Sequence, residues 1–220
     1  MKKILRVLAK GIKKHWRIVV VAVLIVAAVR GYLVWRSQQD KKLDDQRKAV
    51  ITYSADKPDE EKPDKNTYKW YGYSEDPKYI TLPSIGAEGF IQKVGVDQRK
   101  EVAVPSNIHI GGWFVDTVRP GQKGLSIIDG HVSGYDSDGV FKNLIKAKVN
   151  DTFTVEFGDG SKKDFRIKSV KSVKTAVAAA VLFSQEPGIT NQLSLITCGG
   201  KFDRATNQFE ERVIAVAEAI

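Results

Sequence analysis

Short apolar stretches separated by glycine, proline, asparagine and aspartate dominate the chain from Tyr79 to its C-terminus. This pattern is typical of β-strands joined by turns. It predicts strands at Gly89–Val94, Ile108–Phe114, Gly124–Ile128, Thr152–Phe157, Asp164–Val173, Gln192–Thr197 and Arg212–Glu218. Gly158-Asp159-Gly160-Ser161 predicts a hairpin turn between the fourth and the fifth strands.

Two shorter segments follow a helical pattern instead. The apolar spacing in Val140–Lys146 and in Ala176–Phe183 predicts one or two short helices. Seven or eight short strands with so little helix between residues 79 and 220 indicate an all-β fold, either a barrel or a sandwich.

Near the N-terminus, Ile18–Val29 is an uninterrupted run of twelve apolar residues. Twelve are fewer than the roughly 20 needed to cross a bilayer core. However, Gly31–Trp35 extends the run, Arg30 can snorkel, and the flanking tryptophans occupy positions favoured at membrane interfaces. Residues 18–36 are therefore predicted to form a transmembrane signal anchor. A cleaved signal peptide is the alternative, although the small-residue cleavage pattern is weak.

The charges around this span predict its orientation. Seven Lys or Arg residues precede it, and the first acidic residue is Asp40. The positive-inside rule then places residues 1–17 in the cytoplasm and the chain from Gln38 onward outside the cell membrane. The nine basic residues up to Arg36 account for the whole net charge of +9, so the rest of the chain has no polyanion footprint. No nucleic-acid partner is expected.

Residues 37–78 are predicted to form an extracytoplasmic charged linker. Sixteen of the 33 residues from Ser37 to Lys69 are Asp, Glu, Lys or Arg in mixed sign, with two prolines among them. Such a segment is too polar to build a core of its own. The folded β-domain is therefore predicted over residues 79–220.

Cys198 is the only cysteine of the chain and follows the apolar run Gln192–Thr197. An outside domain with one cysteine has no internal disulfide, and a lone thiol in that setting is a candidate reactive group. The alternative is a buried cysteine that acts as a small hydrophobic residue. A strand-end position, with a histidine and an arginine at other strand ends, favours the reactive thiol.

Two histidines and two arginines compete for the roles of acid–base and charge stabiliser. His131 follows a predicted strand, whereas His109 lies within one, where it could be structural. Arg212 begins the last predicted strand, and Arg204 lies in the loop predicted over Gly199–Asn207. The residues alone leave both choices open.

Three short motifs resemble those of one known family. Ser194–Cys198 reads Ser-Leu-Ile-Thr-Cys, which is similar to the Thr-Leu-x-Thr-Cys signature of sortases, with Ser in place of the first Thr. Gly130-His131 resembles the histidine motif of that family, and Arg212 falls where the family has its arginine. The resemblance covers roughly residues 80–218, and the motifs occur in the family's order.

The resemblance implies a closed eight-stranded sortase-type β-barrel, preceded by the transmembrane helix and the charged linker. It implies Cys198 as the nucleophile, His131 as the acid/base and Arg212 as the donor to the oxyanion or to substrate carbonyls. Thr197 would shape the site and contact the substrate, and the N–H group after Cys198 is a candidate oxyanion donor. The Thr-Cys-Gly-Gly and Gly-Gly-Trp-Phe sequences resemble the class F-like branch in particular.

The implied activity is that of a membrane-anchored cysteine transpeptidase. It would cleave a Leu-Pro-x-Thr-Gly-like C-terminal sorting signal of surface proteins through a thioester on Cys198. The acyl group would pass to an amine of a cell-wall precursor or to a pilin lysine. The segment Lys174–Thr190 would line the groove for the signal, with Ala180, Val181 and Leu182 as substrate-binding residues. A helix packed into the core is the equal alternative for this segment.

No cofactor or metal is expected. The chain has no Cys/His cluster for zinc, no Gly-rich phosphate cradle and no EF-hand-like calcium loop. Two alternatives to the transpeptidase stay open: a non-enzymatic membrane-tethered β-domain that binds a surface partner, and the same enzyme acting mainly as a hydrolase. Exposure of the Cys198 thiol to reagents separates an enzyme from a binding domain, and turnover that needs no amine acceptor identifies a hydrolase.

Overall fold

The structure, a computed structural model, describes the backbone of residues 2–55, 57–206 and 208–220. Side-chain surroundings are described for residues 16, 18–41, 49–55, 57–206 and 208–220. The chain divides into two units, a helical one up to Arg47 and a β-rich one from Lys48 to Ile220.

The first unit consists of one long helix, α1, at Lys2–Lys48. Within α1, Ile18–Lys41 is long and apolar enough to cross a membrane, with 24 residues and a mean hydropathy of 2.5. The predicted anchor at 18–36 lies in this stretch, which makes α1 a candidate membrane anchor. Apart from Trp16, the side chains of the predicted cytoplasmic segment 1–17 lie outside the described set.

Eight strands of the second unit form a closed barrel. The strands are β1 (Pro77–Leu82), β2 (Ala87–Val94), β3 (Gly111–Phe114), β4 (Gly124–Gly130), β5 (Thr152–Phe157), β6 (Lys162–Lys174), β7 (Asn191–Asp203) and β8 (Gln208–Ala219). They follow the order β1-β2-β3-β4-β7-β8-β6-β5 around the barrel. Helix α2 (Thr175–Leu182) joins β6 to β7. The predicted closed eight-stranded barrel is confirmed.

Two of the strand pairs are parallel, β2 with β3 and β4 with β7, and the other pairs are antiparallel. The parallel β4–β7 pair brings the C-terminal ends of both strands to the same edge of the barrel. The antiparallel β7–β8 pair places the start of β8 beside the end of β7. The end of β4 therefore meets the end of β7 and the start of β8 at one edge.

Apolar residues pack on both sides of the barrel wall. Phe153, Phe165, Leu195 and Ala215 belong to one buried cluster, which we call the inner cluster. A second buried set, the outer cluster, consists of Val94, Ala103, Phe114, Ile127, Leu182, Ile189, Ile196, Ile214 and Val216. Since successive strand residues point to opposite faces, β7 and β8 contribute alternate residues to the two clusters.

Several predicted boundaries differ from the observed ones. The predicted strand Ile108–Phe114 begins only at Gly111, and the predicted helix Val140–Lys146 is a single 3₁₀ turn at Leu144–Lys146. Strand β1 was not predicted, because Pro77–Leu82 directly follows the charged segment. These errors concern short elements whose pattern is too brief to define a period.

The loop predicted over Gly199–Asn207 is wrong for most of its length. Strands β7 and β8 continue beyond the barrel as a two-stranded ribbon, so Cys198 lies inside β7 and not at its end. The register shifts between Gly199 and Phe202, and Gly200 has a φ of +71°. This bulge explains the pair of glycines, which the sequence analysis assigned to a loop.

Residues 49–55 and 57–69, which we call the strap, follow α1 and run along the barrel. The Ile51 N–H donates to the Lys93 carbonyl at 2.9 Å, and a second backbone bridge joins Asp59 to Asn107. The segment predicted from its composition as a linker is therefore attached to the barrel by hydrogen bonds that begin at Ile51.

Candidate active site

Cys198 and Arg212 are direct neighbours across two strands. They are Cα partners in the antiparallel β7–β8 ladder, so their side chains leave the sheet on the same face. That face carries the outer cluster, since Ile196 and Ile214, each two residues away, belong to it. Cys198 is half-buried, which leaves the thiol partly accessible.

His131 reaches the same place from the parallel strand. The β4–β7 ladder pairs Asp129 with Ile196. His131 is two residues beyond Asp129, and Cys198 is two residues beyond Ile196. Because the strands run in the same direction, the histidine and the thiol lie at the same level of the barrel edge. The ladders therefore place Arg212 opposite Cys198 and lead β4 to His131 at the same edge of the barrel.

The His131 ring is held in one tautomer by the backbone. Its Nε2 lies 2.8 Å from the Pro105 carbonyl oxygen. A carbonyl oxygen can only accept, so Nε2 carries the proton and the lone pair of the neutral ring is on Nδ1. Burial lowers the pKa of His131, while the hydrogen bond to Pro105 raises it to a smaller degree. The ring is therefore neutral at neutral pH, with Nδ1 free to accept a proton.

The Cys198 thiol is also kept neutral at rest. Burial raises its pKa above the usual range, the positive charge of Arg212 lowers it, and a negative charge on Asp129 raises it further. The resting pair is therefore a thiol and a neutral imidazole. Such a pair requires proton transfer from sulfur to nitrogen when the nucleophile acts.

The Arg212 guanidinium is fixed by hydrogen bonds at one of its ends. Its Nη1 donates to the carbonyls of Glu211 and Phe209 and to the Thr175 hydroxyl, at 3.0 to 3.1 Å. The carboxylate of Glu211 pairs instead with Lys174, at 3.1 Å. A guanidinium anchored through Nη1 is oriented, and Nε and Nη2 carry the other N–H groups of the fork.

The two competing residues lie elsewhere. His109 places Nε2 at 3.0 Å from the carbonyl oxygen of Glu60, in the strap. Arg204 is exposed in the turn that joins β7 to β8 at the tip of the ribbon. Neither His109 nor Arg204 is paired with Cys198, whereas Arg212 is its partner in the β7–β8 ladder.

Thr197 and the three α2 residues have different surroundings. Thr197 is buried on the inner side of β7, opposite to Cys198, and within the described residues its hydroxyl has no hydrogen-bond partner. In α2, Leu182 is buried in the outer cluster, Val181 is half-buried against that cluster and Ala180 is exposed. The helix therefore packs one face against the outer cluster, as a core helix would, and presents the other face to solvent, where it could line a groove.

Asp129, which was not predicted as a site residue, lies on the same face as Cys198. The carboxyl is only 9 % exposed, and no described residue donates a hydrogen bond to its Oδ1. It lies over Gly112 of β3, where any side chain would overlap Oδ1. Burial raises the pKa of Asp129 well above its usual range. An aspartate within the apolar run of β4 was the signal that could have identified it.

Among the residues that the structure describes, no group of three His, Cys, Asp or Glu side chains could hold a metal ion. The chemistry available at this edge is therefore that of a thiol, an imidazole, a guanidinium and a carboxyl. A thiol, an imidazole and an oriented guanidinium are the groups that a cysteine-dependent acyl transfer would require.

Comparison with known proteins identifies the family. The family model described as Sortase domain matches residues 80–220, which is well over half of the chain. The chain therefore belongs to the sortase family, and the enzyme class that follows is that of a sortase transpeptidase. A search among curated protein sequences finds no significant match.

Solved sortase structures resemble the barrel. Sortase A from Corynebacterium diphtheriae, a lid mutant, is 23% identical with a TM-score of 0.50, covering 66% of this chain and 69% of that chain. Sortase C-1 from Actinomyces oris is 25% identical with a TM-score of 0.47, covering 66% and 75%. A Clostridium perfringens sortase D5 is 19% identical with a TM-score of 0.47, covering 66% and 79%. The first of these supports the fold alone. The class F-like branch stays a prediction.

Proposed function

We propose that this sortase cleaves Leu-Pro-x-Thr-Gly-like C-terminal sorting signals of surface proteins between Thr and Gly. The acceptor is an amine, from a cell-wall precursor or a pilin lysine. The observation that carries the proposal is the position of the single thiol. Cys198 lies opposite Arg212 in the β7–β8 ladder and level with His131 after β4. A cysteine that only fills space in a core does not require these two neighbours.

The first half-reaction forms a thioester. His131 Nδ1 accepts the Cys198 proton as sulfur attacks the Thr carbonyl carbon of the signal, which gives a tetrahedral oxyanion. The imidazolium then donates its proton to the leaving Gly nitrogen, the C–N bond breaks and the acyl group stays on sulfur. The hydrogen bond from Nε2 to the Pro105 carbonyl holds the ring in place during both transfers.

The second half-reaction releases the acyl group. The acceptor amine attacks the thioester carbonyl and His131 removes its proton. The C–S bond then breaks as the imidazolium returns that proton to sulfur, which regenerates the Cys198 thiol and the neutral ring. Water in place of the amine gives hydrolysis by the same steps. The two outcomes differ only in the nucleophile that reaches the thioester.

Arg212 and the residues around it have supporting roles in this proposal. The fork of Arg212 donates to the oxyanion or to substrate carbonyls, and the N–H of Gly199 is a second candidate donor. Ala180 and Val181 line the groove for the signal, whereas the buried Leu182 holds α2 on the outer cluster. Thr197 shapes the strand next to the thiol from the inner side.

The proposed location is the cell membrane. Helix α1 is the proposed single-pass anchor, with the N-terminus in the cytoplasm and the barrel outside, because seven basic residues precede the apolar stretch. A reporter that is active only outside the cytoplasm, fused after Ser37, is expected to be active. Activity of a cytoplasm-only reporter at that position would overturn the orientation.

The activity is tested with the purified full-length chain and a library of sorting-signal peptides, with and without amine acceptors. Mass spectrometry is expected to detect a thioester on Cys198 and, with amine present, a transpeptidation product. Products that ignore the amine would identify a hydrolase. Absence of any thioester, together with a thiol that resists methanethiosulfonate reagents, would favour the non-enzymatic binding domain.

A further inference from the structure

Two segments hold the His131 residue in place. The first is Pro105, whose carbonyl oxygen accepts the hydrogen bond from His131 Nε2 at 2.8 Å. The second is the loop 132–139, after which the Phe141 N–H returns to donate to the His131 carbonyl at 3.0 Å. A displacement of either segment would move the imidazole relative to Cys198.

Glu60 of the strap contacts the loop after His131 through its carboxylate. Oε1 accepts the N–H of Tyr135, and Oε2 accepts the N–H of Asp136 at 3.1 Å. These charge-assisted bonds, above all the one from Tyr135, hold the pKa of Glu60 below its usual range. The approach is so close that a side chain at Gly134 would overlap the carboxylate.

The strap backbone next to Glu60 binds the segment that follows Pro105. The Asp59 N–H donates to the Ser106 carbonyl at 2.9 Å, and the Ile108 N–H donates to the Asp59 carbonyl at 2.9 Å. Ser106 is covalently joined to Pro105, so this bridge restrains the carbonyl that binds His131.

Side chains extend the same attachment on the other side of Glu60. The Asn107 Nδ2 donates to the Glu61 carbonyl at 2.7 Å, and His109 Nε2 lies 3.0 Å from the Glu60 carbonyl. Residues 59–61 are thus bound to both segments that hold His131, through backbone groups on one side and through a carboxylate on the other.

We propose that Glu60 is a positioning residue for the transpeptidation reaction. Its carboxylate clamps the loop after His131, and the strap backbone around it clamps the segment that carries the Pro105 carbonyl. The proposal rests on the role of His131 in the proposed function. It extends the functional unit to a residue that precedes the sortase-domain match at residues 80–220.

The Glu60 carboxylate stabilises one conformation of the loop 132–139, because its charge-assisted hydrogen bonds offset the conformational entropy that the loop loses. Without the carboxylate, the N–H groups of Tyr135 and Asp136 bond to water and the loop samples further conformations. The Nδ1 atom of His131 then occupies its position at Cys198 for only part of the time. A reacting group that is misplaced by 1 Å can cost about 10²-fold in rate.

The test compares three variants of the full-length chain. Glu60→Ala removes both acceptor oxygens, and Glu60→Gln keeps one of them without the charge. Glu61→Ala is the matched control, because it removes the same charge from the next residue of the strap, whose side chain is exposed. Each variant is compared with the unmodified chain at temperatures where thermal unfolding shows both to be folded.

Three measurements report on His131. For Glu60→Ala, kcat with a sorting peptide is expected to fall about tenfold at an unchanged KM. This loss is smaller than the roughly 10²-fold loss for a reacting group misplaced by 1 Å. The pH profile of Cys198 alkylation is expected to change, and amide exchange in residues 132–139 to accelerate. Glu60→Gln is expected to recover part of each effect, and Glu61→Ala to behave like the unmodified chain.

A Glu60→Ala variant with unmodified kcat, alkylation profile and amide exchange would overturn the proposal. Equal effects from Glu61→Ala would also overturn it, since charge and not contact would then be responsible. If Glu60→Ala does not fold, Glu60→Gln provides the same comparison. Alkylation of Cys198 and amide exchange can be measured without turnover. If Glu60→Ala changes both while the unmodified chain cleaves no sorting peptide, the proposed function is rejected and the clamp is supported.

Discussion

The two halves of the candidate site are built in different ways. Cys198 and Arg212 face each other because two adjacent strands pair in register, and their relation follows from the ladder alone. His131 is placed by the end of β4, by the Pro105 carbonyl and by a loop that the strap holds. The first half is as rigid as the barrel wall, whereas the second depends on segments distant in sequence.

This difference has a consequence for catalysis. The proposed nucleophile and cation lie on paired strands of the barrel, which open only when the sheet opens. The proposed acid–base, His131, lies where loop and strap contacts decide its orientation, so sequence changes outside the barrel can affect it.

The largest effect is expected from the nucleophile. Cys198→Ala should abolish both thioester formation and cleavage, because the chain contains no other thiol. Mass spectrometry of the chain after incubation with a sorting peptide measures both. Transpeptidation by this variant would reject the mechanism as a whole.

Removal of the acid–base is the next largest change. His131→Ala should lower kcat about 10²- to 10⁴-fold, the usual contribution of general acid–base catalysis. His109→Ala is the matched control, and it should act only through the strap, with a much smaller loss. A larger loss from His109→Ala than from His131→Ala would exchange the two assignments.

Arg212→Ala should lower kcat/KM about 10²- to 10³-fold, the typical loss for one oxyanion donor. Arg212→Lys should rescue poorly, because a point charge does not replace a fork that is oriented through Nη1. Arg204→Ala, in the exposed turn, should be nearly silent in the same assay. An inactive Arg204→Ala beside an active Arg212→Ala would show the arginine assignment to be wrong.

Removal of the strap tests the part of the candidate site that contains His131 as a whole. A chain that starts at residue 70 lacks Glu60 and the backbone bridges of the strap, whereas one that starts at residue 49 keeps them. The shorter chain should unfold at a lower temperature and lose about tenfold or more in kcat, in line with a misplaced His131. Equal melting temperatures and equal kcat would mean that the strap contacts contribute nothing.

The smallest effect is expected from Asp129→Asn. The buried carboxyl has a folded-state pKa above its unfolded value, so the folded state holds its proton more tightly and stability falls as pH rises from about 4 through the folded pKa. Asparagine removes this dependence, and the stability advantage of the variant should therefore grow with pH across that window. Urea unfolding at several pH values measures it.

The same variant should also affect the thiol. A negative charge on Asp129 raises the pKa of Cys198, so its removal should shift the pH profile of Cys198 alkylation to lower pH. The positive charge of Arg212, which lowers the pKa of Cys198, is unchanged in the variant. An unchanged profile and an unchanged pH dependence of stability would show that Asp129 does not act on the site.

The elements with a clear period were predictable, and the others were not. The apolar runs in Gln192–Thr197 and Arg212–Glu218 located the strands that carry the thiol and the arginine, because both faces of these strands are buried over most of the runs. The ribbon beyond Cys198 was predicted as a loop, since a two-stranded extension outside the barrel has no buried face to impose a pattern. The strap was predicted as a linker for the same reason.

The sequence by itself determined the apolar span of α1, most of the barrel strands and the identity of the three candidate catalytic residues. The span and the strands follow from local periodicity, whereas the three residues were selected by the resemblance of short motifs to those of sortases. The tertiary structure alone decided that Cys198 faces Arg212, which nitrogen of His131 carries the proton, and that Glu60 reaches the loop after it. Those contacts use backbone amides and carbonyls, which every residue carries, so only the folded chain selects which of them meet.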